Sequence, residues 1–188
     1  MSSRWLAAYK NRLESMRRAA AEVFAEDATT GGVVADYFLK VDGIAGESTD
    51  RKHKDEIELA SFSWGLTRSE GRGGGAGAGR AEFQSFNFIT RVNKASSQLF
   101  LAAASGKHIK EAYLTARKAG KGQLEYLKIK FTDVLITSFQ ETGGAEAPDE
   151  MIGFNFGKIA LEYTAQSPRG AAADVFKAGW DLSKNVKV

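Results

Sequence analysis

The chain has no cysteine, so it holds no disulfide and offers no thiolate to a metal. Histidine is nearly as scarce, with only His53 and His108, which removes the usual imidazole-rich zinc and iron sites from consideration. Charge of one sign is missing too: 26 Lys and Arg against 23 Asp and Glu leave a net +3, too small an excess to mark a nucleic-acid protein. No stretch reaches the roughly 18–20 apolar residues of a membrane helix. Near the N-terminus, Arg4, Lys10, Arg12 and Glu14 interrupt any apolar core of a secretory signal. The expectation is synthesis in a cytoplasm, no membrane insertion, and export only by a route that reads no cleaved signal peptide. With two Pro against twelve Phe, what remains is a chain biased towards sheet and aromatic core, long enough at 188 residues to bury one without covalent staples.

Texture divides the chain in two. Residues 1–33 begin with an Ala-, Arg- and Glu-rich run in which Trp5, Tyr9, Leu13, Met16, Ala20 and Val23 recur at steps of three and four, the stripe of an amphipathic helix. "DATTGG", Asp27–Gly32, then reads as a linker. From residue 34 onward the pattern is that of strands, with candidates at Tyr37–Val41, Ile57–Trp64, Ala81–Val92, Ile109–Lys118, Leu124–Phe139 and Met151–Ala165. "KAGKGQ" is a hairpin turn, with Gly120 and Gly122 free to adopt positive φ. In "GFNFGKIALEY" the apolar phase switches between Phe156 and Ile159, which predicts a bulge near Gly157. One helix interrupts the strands, capped at its start by Asn93 or Ser96, ended by Gly106, and apolar along Leu99, Phe100 and its alanines. The predicted fold is mainly β: a compact β-barrel of two sheets with one flanking α-helix, preceded by the helical extension.

Catalytic signatures are weak. In "GRGGGAGAG", Gly71–Gly79, six of nine residues are glycine, but a strand pattern follows where a phosphate-binding loop needs a helix N-terminus. The run reads as a connector, and no cofactor is implied. No Gly-x-Ser-x-Gly elbow exists, and each histidine sits among lysines, away from an evident carboxylate partner. Asp50, His53 and Asp55 are a poor metal set on a polar loop without a supporting shell. Lys107, His108, Lys110, Arg117, Lys118 and Lys121 form a modest basic group without interleaved exposed aromatics, which is weak evidence for nucleic acid; a mixed-charge surface that binds none is the reading taken. The chain is read as no enzyme.

Two stretches point to contact instead. The polar segment Gly43–Asp55 is too long for a tight turn and, by its charge, is expected to stand in solvent and meet another protein. After it, "SFSW" alternates, so that Phe62 and Trp64 share a core face while Ser61 and Ser63 share a small, uncharged outer one.

Several blocks, in order, carry a further signal: "DYFLKVDGIAGESTDRKHKDEIELASFSWG", a Gly-rich run, "KASSQLFLAAASGKHIKEAYLTARKAG", "QLEYLKIKFTDVLITSF", "NFGKIALEY" and a terminal "GWDLSKNVKV". Together they resemble the Hcp family, the tube proteins of bacterial type VI secretion, over about residues 36–188. The resemblance implies a β-barrel that assembles into homo-hexameric rings. The rings stack into a hollow tube, akin to phage tail tubes, which works with sheath and spike components, carries small effector proteins in its lumen and is itself secreted. By position, Gly46, Glu47, Ser48, Asp50, Lys52, His53 and Lys54 correspond to a protruding ring and stacking contact loop, and Ser61 and Ser63 to the lumen face. Residues 1–33 are extra to the family pattern. A second reading makes the chain an Hcp-like adaptor or effector variant in which that N-terminal helix is the working part.

Overall fold

The computed structural model describes residues 35–68, 80–118, 123–143, 147–166 and 172–188. The N-terminal extension, the Gly71–Gly79 run and the turn glycines Gly120 and Gly122 lie outside them. In chain order the strands are β1 (Ala35–Val41), β2 (Ile57–Leu59), β3 (Ser61–Ser63), β4 (Leu66–Arg68), β5 (Ala81–Phe83), β6 (Phe86–Arg91), β7 (His108–Lys118), β8 (Glu125–Thr142), β9 (Asp149–Gln166), β10 (Ala172–Asp181) and β11 (Val186–Lys187), with helix α1 (Ser96–Ser105) between β6 and β7. The main sheet has the antiparallel order β11-β10-β9-β8-β7-β1-β2, and β4 pairs with β5 as a second, two-stranded sheet.

Strand β9 organises the molecule. One edge runs along β8 from Asp149 to Tyr163; the other takes β6 over Asp149–Phe154 and then β10 from Lys158 onward. Strand β3 pairs with β6, and β2, one residue before it, pairs with β1 at the far end of the sheet. The segment Ile57–Ser63 thus changes partner at Ala60, which is why one expected strand is found as two. Two bonds span the change: the Ala60 N–H donates to the Ile89 carbonyl at 2.8 Å, and Thr90 Oγ1 to the Glu58 carbonyl at 2.8 Å. The sheet curls into a barrel whose ladder stays open at this seam.

The expected change of phase in β9 is there, and it is shared. Buried positions shift from Phe156 to Ile159 in β9, from Phe131 to Val134 in β8, and from Ile109 to Ala112 in β7. Lys110, Asp133 and Gly157 lie on one line across the three strands. Asp133 adopts φ 56°, the left-handed conformation that Asp tolerates better than most residues, and one such residue turns the following side chains to the opposite face. Register is unchanged across Gly157; the ladder's slip falls between Ile136 and Ser138. A coordinated corner therefore replaces the expected single-strand bulge.

Phenylalanines fill the interior. Phe86 is fully buried, with ring centroids 4.9 Å from Phe131, 4.9 Å from Phe154 and 5.6 Å from Phe62. Helix α1 adds Leu99 and Ala102 to this core and ends on Gly106 at φ 64°, whose N–H returns to the Ala102 carbonyl. Its start differs from expectation. The N-cap is Ala95, with no side-chain cap; Asn93 Oδ1 accepts the Ala95 N–H at 2.9 Å, and the Ser96 hydroxyl donates to buried Glu150. Phe100 is not part of the core face: it is 57% exposed and meets the Phe139 ring edge-on.

Candidate assembly surfaces

Strand alternation puts Asp36, Phe38, Thr115 and Arg117 on the outer face of β1 and β7, opposite the core-facing Tyr37, Leu39, Leu114 and Ala116. Phe38, Thr115 and Arg117 are nevertheless buried. The cover is the segment Asp42–Glu56, which folds back over them as a strap. Its ends are cross-linked by backbone: the Gly46 N–H donates to the Asp55 carbonyl at 2.8 Å, Asp55 N–H to Ser48, and Ser48 N–H to Glu56 at 3.0 Å.

Several of the strap's charged groups are matched by groups of the same chain. Arg117 is 4% exposed and places Nη1 2.7 Å from Asp50 Oδ2 and Nη2 2.9 Å from Asp36 Oδ2. Its guanidinium also lies 4.8 Å from the Phe38 ring centre, a cation–π contact. The His53 imidazole stacks on the same ring at 4.3 Å and 9°, with Nδ1 2.9 Å from Glu56 Oε2 and Nε2 3.7 Å from Glu125 Oε1. The hydrogen bond from Arg117, then the Lys52 amide, pull the Asp50 carboxyl down to about 2. A lowered carboxyl contributes its tie fully above the ordinary carboxylate range, so this one is lost only as pH falls through about 2.

The expected contact loop lies along the outer face of β1 and β7, with Gly46, Ser48 and His53 buried and Glu47, Lys52 and Lys54 exposed on its outer side. These contacts correct two expectations. The histidines are not without carboxylate partners, since His108 Nδ1 sits 2.7 Å from Asp133 Oδ1 and His53 faces Glu56. Arg117 cannot serve in a surface basic group, being enclosed beneath the strap. Asp50 and His53 are engaged as described, and among the described residues no three His, Asp or Glu converge on a metal position.

The second surface lies on the outer side of β3, β6, β9 and β8. Ser63 is opposite Asn87, Asn87 opposite Gly153, and Gly153 opposite Ser138. The next row runs Ser61, Ile89, Met151, Gln140. Both rows are small or uncharged, and Ser85 Oγ donates to Asn155 Oδ1 at 2.6 Å beside them. Gly153 leaves room for these side chains: a Cβ there would stand 2.5 Å from Ser138 Oγ and 2.7 Å from Asn87 Oδ1, so that both would have to shift. Phe62 and Trp64, between and beyond the two serines, are half-buried and pack against the core. Asn87, Ser138 and Gly153 escaped the sequence reading because only cross-strand register unites them. The outer face of β7–β10 contrasts sharply, being crossed by the pairs Lys130–Glu111, Lys128–Glu125, Lys177–Glu162 and Lys158–Asp181.

Known proteins resemble this chain in sequence and fold. The family model described as "Type VI secretion system effector, Hcp" matches residues 38–163. Protein hcp1 of Pseudomonas aeruginosa is 37% identical over 162 residues, covering 82% of this chain and 99% of that protein. Among solved structures, Hcp1 from Salmonella typhimurium superposes with a TM-score of 0.70 at 36% identity, covering 82% of this chain and 99% of that one. A type VI secretion system effector from Yersinia pestis superposes with a TM-score of 0.64 at 37% identity, covering 78% and 99% respectively.

Proposed function

The chain belongs to the Hcp family of type VI secretion proteins, and from that membership we propose that it is a structural subunit of the secretion inner tube. Six copies close into a ring; rings stack into a hollow tube that sheath contraction expels together with small effector proteins held inside. The role is structural, and the protein is secreted by the machine it builds. In a ring, heterologous contacts close if the rotation allows, whereas ring-on-ring contacts stay open and polymerise.

The observation that supports the lumen assignment is the uncharged patch around Ser61 and Ser63. A conveyor wall should offer cargo few ionic holds, and the Ser63–Asn87–Gly153–Ser138 row carries none. Contacts between copies are assigned to the strap Gly46–Lys54, through its outward Glu47, Lys52 and Lys54. Exposed ion pairs contribute only about 0–1 kcal/mol each, so cohesion is a property of many subunits together. Residues 1–33 are assigned as an extension ahead of the barrel domain at 34–188.

Ser63→Arg tests the lumen. Rings of unchanged diameter in negative stain, with less small effector co-purifying, are expected. Loss of the rings would place Ser63 at a subunit seam and overturn the assignment.

A further inference from the structure

Glu150 takes no part in the surfaces described so far, yet it is fully buried. It lies in β9 between Thr90 of β6 and Glu141 of β8, on the inward face it shares with Ile152 and Phe154. Only one oxygen is engaged: Ser96 Oγ, at the first residue of α1, donates to Glu150 Oε2 at 2.8 Å. Glu150 Oε1 is enclosed and has no hydrogen-bond partner. An ionised carboxylate here would bear a charge that no donor meets on one side, opposite a second carboxylate. A protonated carboxyl keeps the Ser96 bond without that burden.

The lead-in to α1 depends on the same point. The Asn93 N–H donates to Ser96 Oγ at 2.9 Å, and the next residue, Lys94, donates its N–H to Glu47 Oε1 of the strap at 2.8 Å. Lys94 Nζ reaches Asp55 of the strap at 3.9 Å. We infer that Glu150 and Ser96 form an acid-closed clasp, in which the protonated carboxyl seats the first turn of α1 on the sheet and the turn lifts when that proton passes to solvent. The charged groups around it are Glu141 on β8, Arg91 on β6, Asp149 beside it on β9, Lys94 at the helix lead-in and Glu47 on the strap. Burial pushes the Glu150 carboxyl above the usual carboxylate range; the Ser96 bond opposes this, and the charge of Glu141 adds to it. For a raised carboxyl the favourable contribution is complete below the ordinary range and fades as pH rises through the raised value. The clasp therefore closes in acid and loosens towards alkaline pH. Nothing in this depends on the tube assignment.

Hydrogen exchange on the full chain between pH 5 and pH 8, corrected for intrinsic rates, tests it. The Gln98 and Leu99 amides, which donate to the Ala95 carbonyl, should lose protection relative to the β7–β8 ladder by roughly tenfold as pH rises. In Glu150→Gln, which mimics the neutral acid, that difference should vanish; in Glu141→Gln it should shrink. Constant protection in the wild type, or the same loss in Glu150→Gln, overturns the clasp. A carboxyl-carbon NMR titration of the wild type gives an answer that needs no variant. The Glu150 signal should titrate together with the α1 amide shifts, and separate titrations would overturn the proposal equally.

Discussion

Phe86→Ala should lower the unfolding free energy by about 3–5 kcal/mol, the range for truncating a fully buried aromatic. Phe86 is completely enclosed, and its ring contacts those of Phe62, Phe88, Phe131 and Phe154. These neighbours come from β3, β6, β8 and β9, so the cavity opens where the strands of the curled sheet converge and where no single element can move in to fill it. Phe100→Ala is the matched control: that ring is 57% exposed, and its loss should cost less than about 1 kcal/mol. Chemical denaturation of both variants decides the matter. Equal costs would mean that the core is not centred on Phe86.

The second large effect is expected at Gly46. A Cβ there would lie 2.3 Å from the backbone oxygen of Glu56, a contact that no side-chain rotation can relieve, because the Cβ position is fixed by the backbone and its neighbour is main chain. Gly46→Ala should break the Gly46–Asp55 closure, lift His53 from the Phe38 ring and uncover Arg117. Forced packing of this kind typically costs about 1–3 kcal/mol. Limited trypsin digestion reads it directly, since Arg51, Lys52 and Lys54 all lie on the strap. Cleavage there should become much faster in Gly46→Ala while the β7–β8 ladder stays resistant. Unchanged cleavage and an unchanged thermal midpoint would show that the strap is not seated through Gly46. Because Glu47, Lys52 and Lys54 are positioned by the closed strap, the same variant should also weaken association between copies.

The strands that could be read from sequence are those with one face in the core. In β8, Leu127, Ile129 and Phe131 alternate with Lys128, Lys130 and Thr132, and the structure buries the first set or packs it on the core. Strand β10 gave no such signal, because Asp174–Ala178 is exposed on both faces and alternation needs one dry side. The phase change at Phe156–Ile159 was legible in β9, but not that β7 and β8 turn with it through Asp133. The packing of the strap is hidden in the sequence for a different reason. Its charges look solvated when only neighbours in sequence are considered; the buried Arg117 that pairs with Asp50 and Asp36 lies 67 and 81 residues from them along the chain. His53 is flanked by lysines in sequence and by Glu56 and Glu125 in space. The serines of β3 were visible as a small polar pair, whereas their extension to Asn87, Gly153 and Ser138 is a property of register between strands far apart in sequence.

The most direct test of the tube assignment is the native mass of the purified full-length chain, taken by sedimentation across a range of concentrations and paired with negative-stain images. The account predicts a species of six chain masses and rings of one uniform diameter. A single chain mass at every concentration, with no rings on the grid, would contradict it.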